Sequence, residues 1–277
     1  MNHIMTITIE TIKQYPGVSV AAHRGTSGGG IVQNTSLAYT NALNHQATII
    51  EVDITMSKDG VFYAFHDGQE KHVFGQDIDI RQMLSKEIDQ LIVINPFGKP
   101  MTQSIEKFQD VFQRFNGKCV MNIDRSWPYW ETFLPYLKEL GDLSSLLLKS
   151  PVIDDRLALL SKADLNIAYM PIIKSQEDYF NVLKYPKLSI DFVEFIFLQP
   201  TSSLIEANFM QTIKANKQKI WINALSLSDT LSLAGGFDDN RAIAGDIEGS
   251  WGKLINLGFD IIQTDWPLLL HMYLEQH

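Results

Sequence analysis

The sequence is poor in three features that direct proteins to particular environments, namely cysteine, basic charge and long apolar runs. A single cysteine, Cys119, occurs in 277 residues, so no disulfide can form within the chain. Such usage is typical of a reducing cytoplasm, where we expect the protein to reside. Lysine and arginine number 23 against 32 aspartates and glutamates, which gives a formal net charge of −9. That balance argues against nucleic acids and anionic membranes as partners, because both are bound through basic patches.

No apolar run approaches the roughly 20 residues that a membrane-spanning helix needs, so we expect no stable membrane insertion. The first 17 residues lack the apolar centre of a secretory signal and are expected to form a short helix or strand. Hydrophobic residues make up 45% of the chain, enough for a sizeable core, and no linker or low-complexity segment divides it. Residues 1–277 are therefore predicted to form a single domain, of unknown oligomeric state.

Strand-like and helix-like segments alternate along the chain, as in parallel α/β folds. The predicted strands cover residues 18–23, 48–55, 119–124, 144–150, 167–173, 191–199, 219–225 and 259–265, with an extra short strand at 61–66. Predicted helices include residues 35–45, 79–91, 103–115, 129–140, 175–184, 204–216 and 266–275. Eight strands alternating with helices suit a TIM (β/α)8 barrel, although the connection lengths also allow a doubly wound open sheet.

Three short polar clusters, HRG, EVD and HDG, fall within residues 20–67. In the predicted strand TIIEVDIT, Glu51 and Asp53 are two residues apart and therefore point to the same face. Their backbones lie roughly 7 Å apart, so the two carboxylates repel each other unless a cation sits between them. A hard divalent ion with oxygen ligands meets that need. The alternative is a pair of solvated carboxylates on an edge strand.

Two histidines flank this acidic pair in sequence. His23 ends the run VSVAA and precedes Arg24, and His66 ends the run VFYAF and precedes Asp67. A single histidine at a strand end is commonly structural. Two of them beside an acidic pair suit a general acid and a general base that act on opposite sides of one reacting group. Arg24 adds planar donors that match phosphate oxygens.

In their order and spacing, these clusters resemble the glycerophosphodiester phosphodiesterase family. The matching motifs are HRG at 23–25, NT at 34–35, E-x-D at 51–53, KDG at 58–60 and HD at 66–67. In addition, GFDIIQTDWP at 258–267 looks like the last barrel strand of that family, so the resemblance covers nearly the whole chain. It implies a metal-dependent TIM-barrel enzyme that hydrolyses a small-molecule glycerophosphodiester to sn-glycerol 3-phosphate and an alcohol.

The resemblance also implies a third metal ligand. Asp124, in MNIDRS, occupies the place of a family acid that is usually a glutamate. Aspartate is shorter but equally hard, so Glu51, Asp53 and Asp124 would together hold Mg²⁺, Ca²⁺ or Mn²⁺. A helix N-cap just after the strand is the alternative for Asp124.

Two positions depart from the family pattern. Ser126 stands where the family usually carries a lysine, so the missing positive charge would come from Arg125 or Lys149, a choice that the sequence leaves open. Lys149 ends the fourth predicted strand and is, with the arginine of HRG, a candidate phosphate-binding residue. Gln33 replaces the glutamate that commonly precedes Asn-Thr, which removes a negative charge. Trp266, directly after the last strand, is predicted to wall the substrate pocket.

Other functions stay open at this point. The same site would suit a phospholipid or another larger phosphodiester, as in related barrel phospholipases, although the sequence has no basic or apolar membrane-binding tract. The changes at Gln33 and Ser126 would also fit a non-catalytic barrel that binds phosphodiesters or a protein, but such a binder has no need of two histidines. A TIM-barrel enzyme of unrelated chemistry is the last alternative. Asp265 is expected to be a turn or helix cap, with the orientation of neighbouring groups as the alternative.

Overall fold

The computed structural model describes residues 6–228 and 230–276, so part of the predicted N-terminal segment, residues 1–5, lies outside the described residues. Eight parallel strands, numbered one to eight along the chain, form the centre of the molecule. They are Ser19–Ala22, Ile49–Met56, Val120–Asp124, Leu146–Pro151, Ala168–Ile173, Phe192–Phe195, Lys219–Asn223 and Ile261–Thr264. Each strand pairs with the next, and the eighth pairs with the first through Ser19 and Ile261. The sheet closes on itself, which confirms the TIM (β/α)8 barrel and excludes the open sheet.

One end of the barrel interior is filled by an apolar side chain from every strand. These eight buried residues form one cluster, and they are Ala21, Ile49, Val120, Leu147, Met170, Phe192, Trp221 and Ile261. The N-terminal helix Ile9–Gln14 adds Ile9 and Ile12 to the cluster. The Ile9 N–H donates to the carbonyl of Ser144, just before the fourth strand, so this helix closes the N-terminal end of the barrel.

The other face of the strands packs against an outer layer of helices in a second, larger apolar cluster. The helices are Ser36–Asn44, Phe108–Phe115, Trp130–Glu139, Asp154–Lys162, Gln176–Val182, Ala207–Ala215, Lys253–Leu257 and Pro267–Leu274. In Phe108–Phe115 the buried residues are Phe108, Val111, Phe112 and Phe115, the spacing of one helix face. Within residues 6–228 and 230–276, no helix is both long and apolar enough to cross a bilayer.

The connection between the second and third strands is the largest addition to the barrel. The extra strand predicted at 61–66 is present as Phe62–Ala64, which pairs antiparallel with the second strand and with Glu106–Lys107. That pairing explains why the helix predicted from residue 103 begins only at residue 108. The connection also contains the helices Glu70–Phe74 and Ser85–Ile88 and the 3₁₀ turn Ile80–Gln82.

The single helix predicted at 79–91 is wrong, because contacts outside the segment interrupt it. Met83 is extended, and its carbonyl accepts a hydrogen bond from the Lys58 N–H. Asp59 in the KDG turn accepts hydrogen bonds from both the backbone N–H and the hydroxyl of Ser85, at 2.7 Å each. These contacts tie the segment to the turn after the second strand, so only its two short ends are helical.

The remaining elements lie outside the barrel strands and the main helix layer. Two further 3₁₀ turns are Trp127–Tyr129 and Ser203–Ile205. The stretch after the seventh strand contains a hairpin of Ser226–Ser228 with Leu231–Ser232 and the helix Asp239–Ile243. A π-helical turn, Glu248–Gly252, leads into helix Lys253–Leu257.

Candidate active site

A polar layer lies inside the barrel next to the apolar cluster. Side chains alternate along a strand, so the residues two positions after the apolar ones also point inward. This layer consists of buried polar side chains from six strands, namely Glu51, Asn122, Lys149, Glu194, Asn223 and Gln263. It sits toward the C-terminal ends of the strands, which is where TIM barrels carry their sites. Charges at this depth need partners, because an unpaired buried charge costs several kcal/mol.

Three carboxylates meet where the second and third strands end. Asp53 lies two residues after Glu51, and Asp124 is opposite Asp53 in the parallel register. One oxygen from each of the three carboxylates lies within 4.8 Å of the others. Burial raises the pKa of Glu51 well above its usual range, and the neighbouring charges of Asp53 and Asp124 raise it further. The structure therefore brings together the three acids that the sequence analysis named as metal ligands.

The residues present fit a hard divalent cation. Asp53 Oδ1 is buried and has no hydrogen-bond partner among the described residues, which leaves a strong acceptor free. The local charges are also unbalanced, since four carboxylates stand against two cations: Glu51, Asp53, Asp124 and Glu194 against Arg24 and Lys149. A formal excess of two negative charges and an all-oxygen donor set are what Mg²⁺, Ca²⁺ and Mn²⁺ require.

Lys149, one of the two candidates for the charge that Ser126 lacks, lies beside Asp124. Its Nζ lies 2.6 Å from Asp124 Oδ2 and 3.0 Å from Glu194 Oε2. Burial alone would lower the pKa of this amine, but the two carboxylates raise it above its usual value. Asn223 Nδ2 donates to the second oxygen of Glu194 at 3.0 Å. Lys149 is thus a buried cation that holds Asp124 in place.

The side chain of Arg125, the other candidate for that charge, pairs with Asp67. The residue is in the left-handed backbone region, with φ of 55°, and its guanidinium contacts Asp67 Oδ1 at 2.7 Å. Arg81 donates to the other oxygen of Asp67 at 3.1 Å. Ser126 is buried and accepts a hydrogen bond from Trp130 Nε1 at 3.1 Å, so this position serves packing.

Arg24 joins the loop after the first strand to the acidic cluster. Its backbone N–H donates to Glu51 Oε2 at 3.0 Å, and its Nε lies 3.0 Å from Asp53 Oδ2. Asn34, from the NT motif, donates to the same Asp53 oxygen at 2.9 Å and accepts from the Asp53 N–H. Gln33 accepts a hydrogen bond from Arg24 Nη1 at 3.2 Å, so the amide still orients the guanidinium where the family commonly has a carboxylate.

His23 lies between two carboxylates. Its Nδ1 is 2.8 Å from Asp265 Oδ1, and its Nε2 is 3.9 Å from Glu51 Oε2. Because a carboxylate oxygen accepts, Nδ1 is the donor, and Nε2 is left to face the acidic cluster. The Asp265 N–H in turn donates to Asp239 Oδ2 at 2.8 Å. The contact with His23 fits the alternative for Asp265, the orientation of a neighbouring group, better than the turn or helix cap that the sequence favoured.

His66 makes a side-chain hydrogen bond through one of its two ring nitrogens, Nδ1. Its Nδ1 lies 2.7 Å from the backbone carbonyl of Asp67, which can only accept, so Nδ1 carries the proton of the neutral ring and Nε2 is unprotonated. Burial lowers the pKa of His66, and the charges of Arg24 and Arg125 lower it further against the opposing effect of Asp53. This environment favours the neutral imidazole, the form that accepts a proton.

A family model described as the glycerophosphoryl diester phosphodiesterase family matches residues 23–167, slightly more than half of the chain. The chain belongs to this family. A second model, described as a domain of unknown function, matches residues 169–274. The match over residues 23–167 confirms the family predicted from the HRG, E-x-D and HD motifs.

Among known relatives, lysophospholipase D GDPD3 from Mus musculus is 29% identical over 105 residues, which span 35% of this chain and 32% of that protein. Similar folds occur in a glycerophosphoryl diester phosphodiesterase from Parabacteroides distasonis (TM-score 0.79, 16% identity, 98% of this chain and 93% of that one). A Thermotoga maritima glycerophosphodiester phosphodiesterase gives a TM-score of 0.66 at 20% identity over 94% of this chain and 100% of that one. An Oleispira antarctica phosphodiesterase in complex with the product sn-glycerol-3-phosphate also gives 0.66, at 17% identity over 93% and 96%.

A cavity of about 520 Å³ lies beside His23, the histidine of the HRG motif. His23, Gln33 and Asp265 line one part of it, and Trp266 lines another. The tryptophan is half exposed and begins the last helix, so the predicted pocket-wall residue does line a cavity next to the site. Its contact with substrate stays a prediction.

Several residues of this family member's site were not recognised in the sequence. Asn34 was noted only as part of the NT motif, and Glu194 and Asn223 not at all. Both carried a detectable signal, because Glu194 is the one polar residue of the strand Phe192–Phe195 and Asn223 directly follows the apolar run of residues 220–222. For Asp265 the sequence favours a cap, the ordinary role of an aspartate just before a helix, over the orientation of neighbouring groups.

Proposed function

We propose that this protein is a metal-dependent phosphodiesterase that hydrolyses glycerophosphodiesters to sn-glycerol 3-phosphate and an alcohol. The observation that carries the proposal is the convergence of Glu51, Asp53 and Asp124, with Asp53 Oδ1 buried and without a hydrogen-bond partner among the described residues. Two histidines accompany it, with Nδ1 of His23 held by Asp265 and Nδ1 of His66 by the Asp67 carbonyl. Family membership and the fold shared with a phosphodiesterase bound to sn-glycerol-3-phosphate support the choice of substrate.

The three carboxylates would hold the divalent ion, for which Mg²⁺, Ca²⁺ and Mn²⁺ are all suitable. When bound, the ion would supply positive charge to a phosphate oxygen and so stabilise the charge that develops in the transition state. Arg24 would hold a second phosphate oxygen with its planar donors. Lys149 acts on this site through Asp124, and we retain it as a phosphate-binding candidate for the bound state. Trp266 would wall the substrate pocket.

The two histidines divide the proton transfers in this proposal. His66, kept neutral by burial and by two arginines, acts as the general base through Nε2. His23, with Asp265 on one nitrogen and Glu51 near the other, carries a proton and delivers it to the leaving alkoxide. The nucleophile is either water or the glycerol hydroxyl of the substrate; the second route forms a cyclic phosphate that water then opens.

A non-catalytic phosphodiester-binding barrel is the competing function. It needs the cationic and anionic groups that hold the phosphate, but it does not need a histidine whose carboxylate partner fixes the tautomer. The contact between His23 and Asp265 therefore favours catalysis. We further propose that the enzyme works on a small-molecule substrate in the cytoplasm, which the unpaired, buried thiol of Cys119 supports.

The test is the release of glycerol 3-phosphate from a panel of glycerophosphodiesters with choline, ethanolamine, glycerol and inositol head groups. Metal-stripped protein would be titrated with Mg²⁺, Ca²⁺ and Mn²⁺ in turn, with circular dichroism to verify folding at each step. We expect metal-dependent release from at least one diester. Folded protein that binds the diesters but releases no product with any of the three ions would establish the binding barrel instead.

A further inference from the structure

The ring of His66 is held by the peptide group that joins Asp67 to Gly68. The carbonyl oxygen of Asp67 lies 2.7 Å from His66 Nδ1 and accepts its hydrogen bond. The N–H of the same peptide group belongs to Gly68 and donates to Glu70 Oε2 at 2.7 Å. Because a peptide group is planar and rigid, a rotation of this one would break both hydrogen bonds together. Its orientation therefore decides which nitrogen of His66 carries the proton.

Glu70 is a buried carboxylate outside the acidic cluster, and it fixes the N–H side of this peptide group. Its other oxygen, Oε1, accepts a hydrogen bond from the Ile80 N–H at 3.4 Å. Ile80 begins the 3₁₀ turn Ile80–Gln82, so Glu70 joins the peptide to a later part of the connection between the second and third strands. A buried carboxylate needs donors of this kind, because a charge buried without hydrogen bonds costs free energy.

Gly68 gives the peptide group a backbone conformation that other residues rarely adopt. Its φ is 88°, in the left-handed region that favours glycine. A methyl group added at this position would meet no atom within 4 Å, so backbone conformation and not lack of space makes the glycine necessary. Gly68→Ala therefore changes the preferred orientation of the peptide group without disturbing the packing around it.

The side chain of Asp67 is fixed by two arginines from different parts of the chain. Arg125, directly after the third strand, places Nε and Nη2 each 2.7 Å from Asp67 Oδ1. Arg81, in the 3₁₀ turn, donates to Asp67 Oδ2 at 3.1 Å. Asp79 in turn holds Arg81 through hydrogen bonds from Nε at 2.8 Å and from Nη2 at 3.0 Å. The carboxylate and the carbonyl group of Asp67 thus both have fixed partners, and one of these partners is the ring of His66.

From these contacts we propose that Glu70, Arg81 and Arg125 are positioning residues for His66. They hold the peptide group after Asp67 so that its carbonyl keeps the proton of the neutral ring on Nδ1. Only this tautomer has an unprotonated Nε2 that can accept a proton, and without the three residues the ring would sample both tautomers. The proposal rests on the general-base role proposed above for His66, but the tautomer can be measured without any turnover.

The experiment reads the tautomer by ¹⁵N NMR of histidine-labelled protein with Mg²⁺ present, above the ordinary histidine pKa of about 6.5. Protonated and unprotonated ring nitrogens give well-separated signals, and the signals of His66 are those that His66→Gln lacks. We expect a proton on Nδ1 in the wild type. Glu70→Leu removes the acceptor of the Gly68 N–H, so it should give a mixture of tautomers and lower kcat by about tenfold with KM within about threefold. Glu70→Gln should retain the wild-type tautomer, because its amide oxygen still accepts from Gly68.

Asp260→Leu is the matched control. Asp260 Oδ2 also accepts a backbone hydrogen bond, from the Ile220 N–H at 2.9 Å, but Asp260 lies at the other end of the barrel, just before the eighth strand. Loss of this carboxylate should lower the temperature of thermal unfolding and leave the tautomer of His66 and kcat unchanged.

Gly68→Ala and Arg125→Gln test the same peptide group by two other routes. The alanine disfavours the left-handed conformation, and the glutamine removes a cation from Asp67. Both variants should therefore shift the tautomer of His66 in the same direction as Glu70→Leu. They also decide the question if Glu70→Leu does not fold, because an unchanged tautomer in both would overturn the proposal.

A folded Glu70→Leu variant with the wild-type tautomer would overturn the proposal, even if that variant were less stable. A mixed tautomer with unchanged kcat would also overturn it, since the orientation of His66 would then have no effect on turnover. A mixed tautomer in the variants of a protein that hydrolyses no diester would leave the positioning of His66 standing and remove the proposed phosphodiesterase activity.

Discussion

The carboxylate of Asp265 lies 2.8 Å from Nδ1 of His23, although 242 positions separate the two residues in sequence. The closed barrel creates this contact, because the eighth strand pairs with the first and their C-terminal ends are adjacent. A carboxylate on Nδ1 fixes the tautomer and stabilises the imidazolium, so it suits a histidine that donates a proton from Nε2.

Asp265→Asn should therefore lower kcat by about 10- to 100-fold, because the amide keeps the shape but loses the charge that stabilises imidazolium. KM should change by less than about threefold, since Asp265 acts through His23 and is not proposed to bind the phosphate. Steady-state kinetics on the best glycerophosphodiester measure both constants. The control is Asp155→Asn, an exposed aspartate in the first turn of another helix. A rise in KM with unchanged kcat would assign Asp265 to substrate binding instead.

His23→Ala and His66→Ala should each reduce turnover by about 10²-fold or more without loss of the fold. The two variants should differ when the leaving group is nitrophenol, which departs without a proton. That substrate should restore much of the activity of His23→Ala, the variant without the acid, and little of the activity of His66→Ala, the variant without the base. Thermal unfolding verifies that both variants fold. The reverse pattern of rescue would exchange the two roles, and full activity of either variant would exclude that histidine.

Asp124→Ala should weaken the binding of the activating metal ion by at least about tenfold, because one of three carboxylate ligands is lost. Isothermal titration of metal-stripped protein gives the affinity directly, and the metal dependence of turnover gives it independently. Asp155→Ala serves as the control for loss of a carboxylate elsewhere. If Asp124→Ala binds and responds to the ion as the wild type does, Asp124 has only a local structural role.

Much of the fold could be predicted from sequence because its signals are local. Apolar, β-branched runs separated by amphipathic segments placed seven of the eight barrel strands within two residues of their observed bounds. The sixth, predicted at 191–199, ends already at Phe195. The helix predicted at 79–91 failed for a non-local reason, since Asp59 and Lys58 hold its middle in an extended conformation. The hydrophobic periodicity of a segment carries no information about the hydrogen bonds that join this segment to another element.

The same distinction applies to the site. Glu51 and Asp53 could be paired from sequence, because a spacing of two on one strand fixes their common face. The sequence could not predict that the side chain of Lys149 pairs with Asp124 while that of Arg125 pairs with Asp67. This outcome depends on which side chains face the barrel interior. Once the inward face is known, Lys149 follows from its position two residues after Leu147. The contact of Asp265 with His23 depends on barrel closure, which no local pattern encodes.

Lys149→Met should lower the free energy of unfolding by about 3–5 kcal/mol, because it leaves the buried Glu194 and the partly buried Asp124 without their shared cation. Adding Glu194→Gln should recover part of that loss, since it removes one of the two uncompensated charges. Urea unfolding of the two single variants and the double variant gives the coupling energy. Additive losses would mean that Lys149 and Glu194 do not stabilise each other, despite the 3.0 Å contact.

Asp239 accepts a hydrogen bond from the Asp265 N–H, and its own titration makes the stability of the protein depend on pH. Burial raises its pKa from the usual 3.8 to about 7, while hydrogen bonds from the Asp265 N–H, Trp251 Nε1 and Thr264 Oγ1 oppose the rise. Between about pH 4 and pH 7 the folded protein thus holds a proton that the unfolded chain releases. The contribution of Asp239 to stability is then fully present below pH 4 and declines as the pH rises to 7.

Relative to Asp239→Asn, which does not titrate, the wild type should lose up to about 4 kcal/mol of unfolding free energy between pH 4 and pH 7. Asp238→Asn is a control with the opposite sign. Burial opposes ionisation of Asp238, but hydrogen bonds from Ser226 and Ser232 lower its pKa below the usual value, so its contribution is lost as the pH falls below about 4. If the free energies of unfolding of the wild type and Asp239→Asn change in parallel between pH 4 and pH 7, Asp239 is ionised across this range. The three hydrogen bonds that it accepts would then outweigh the effect of burial.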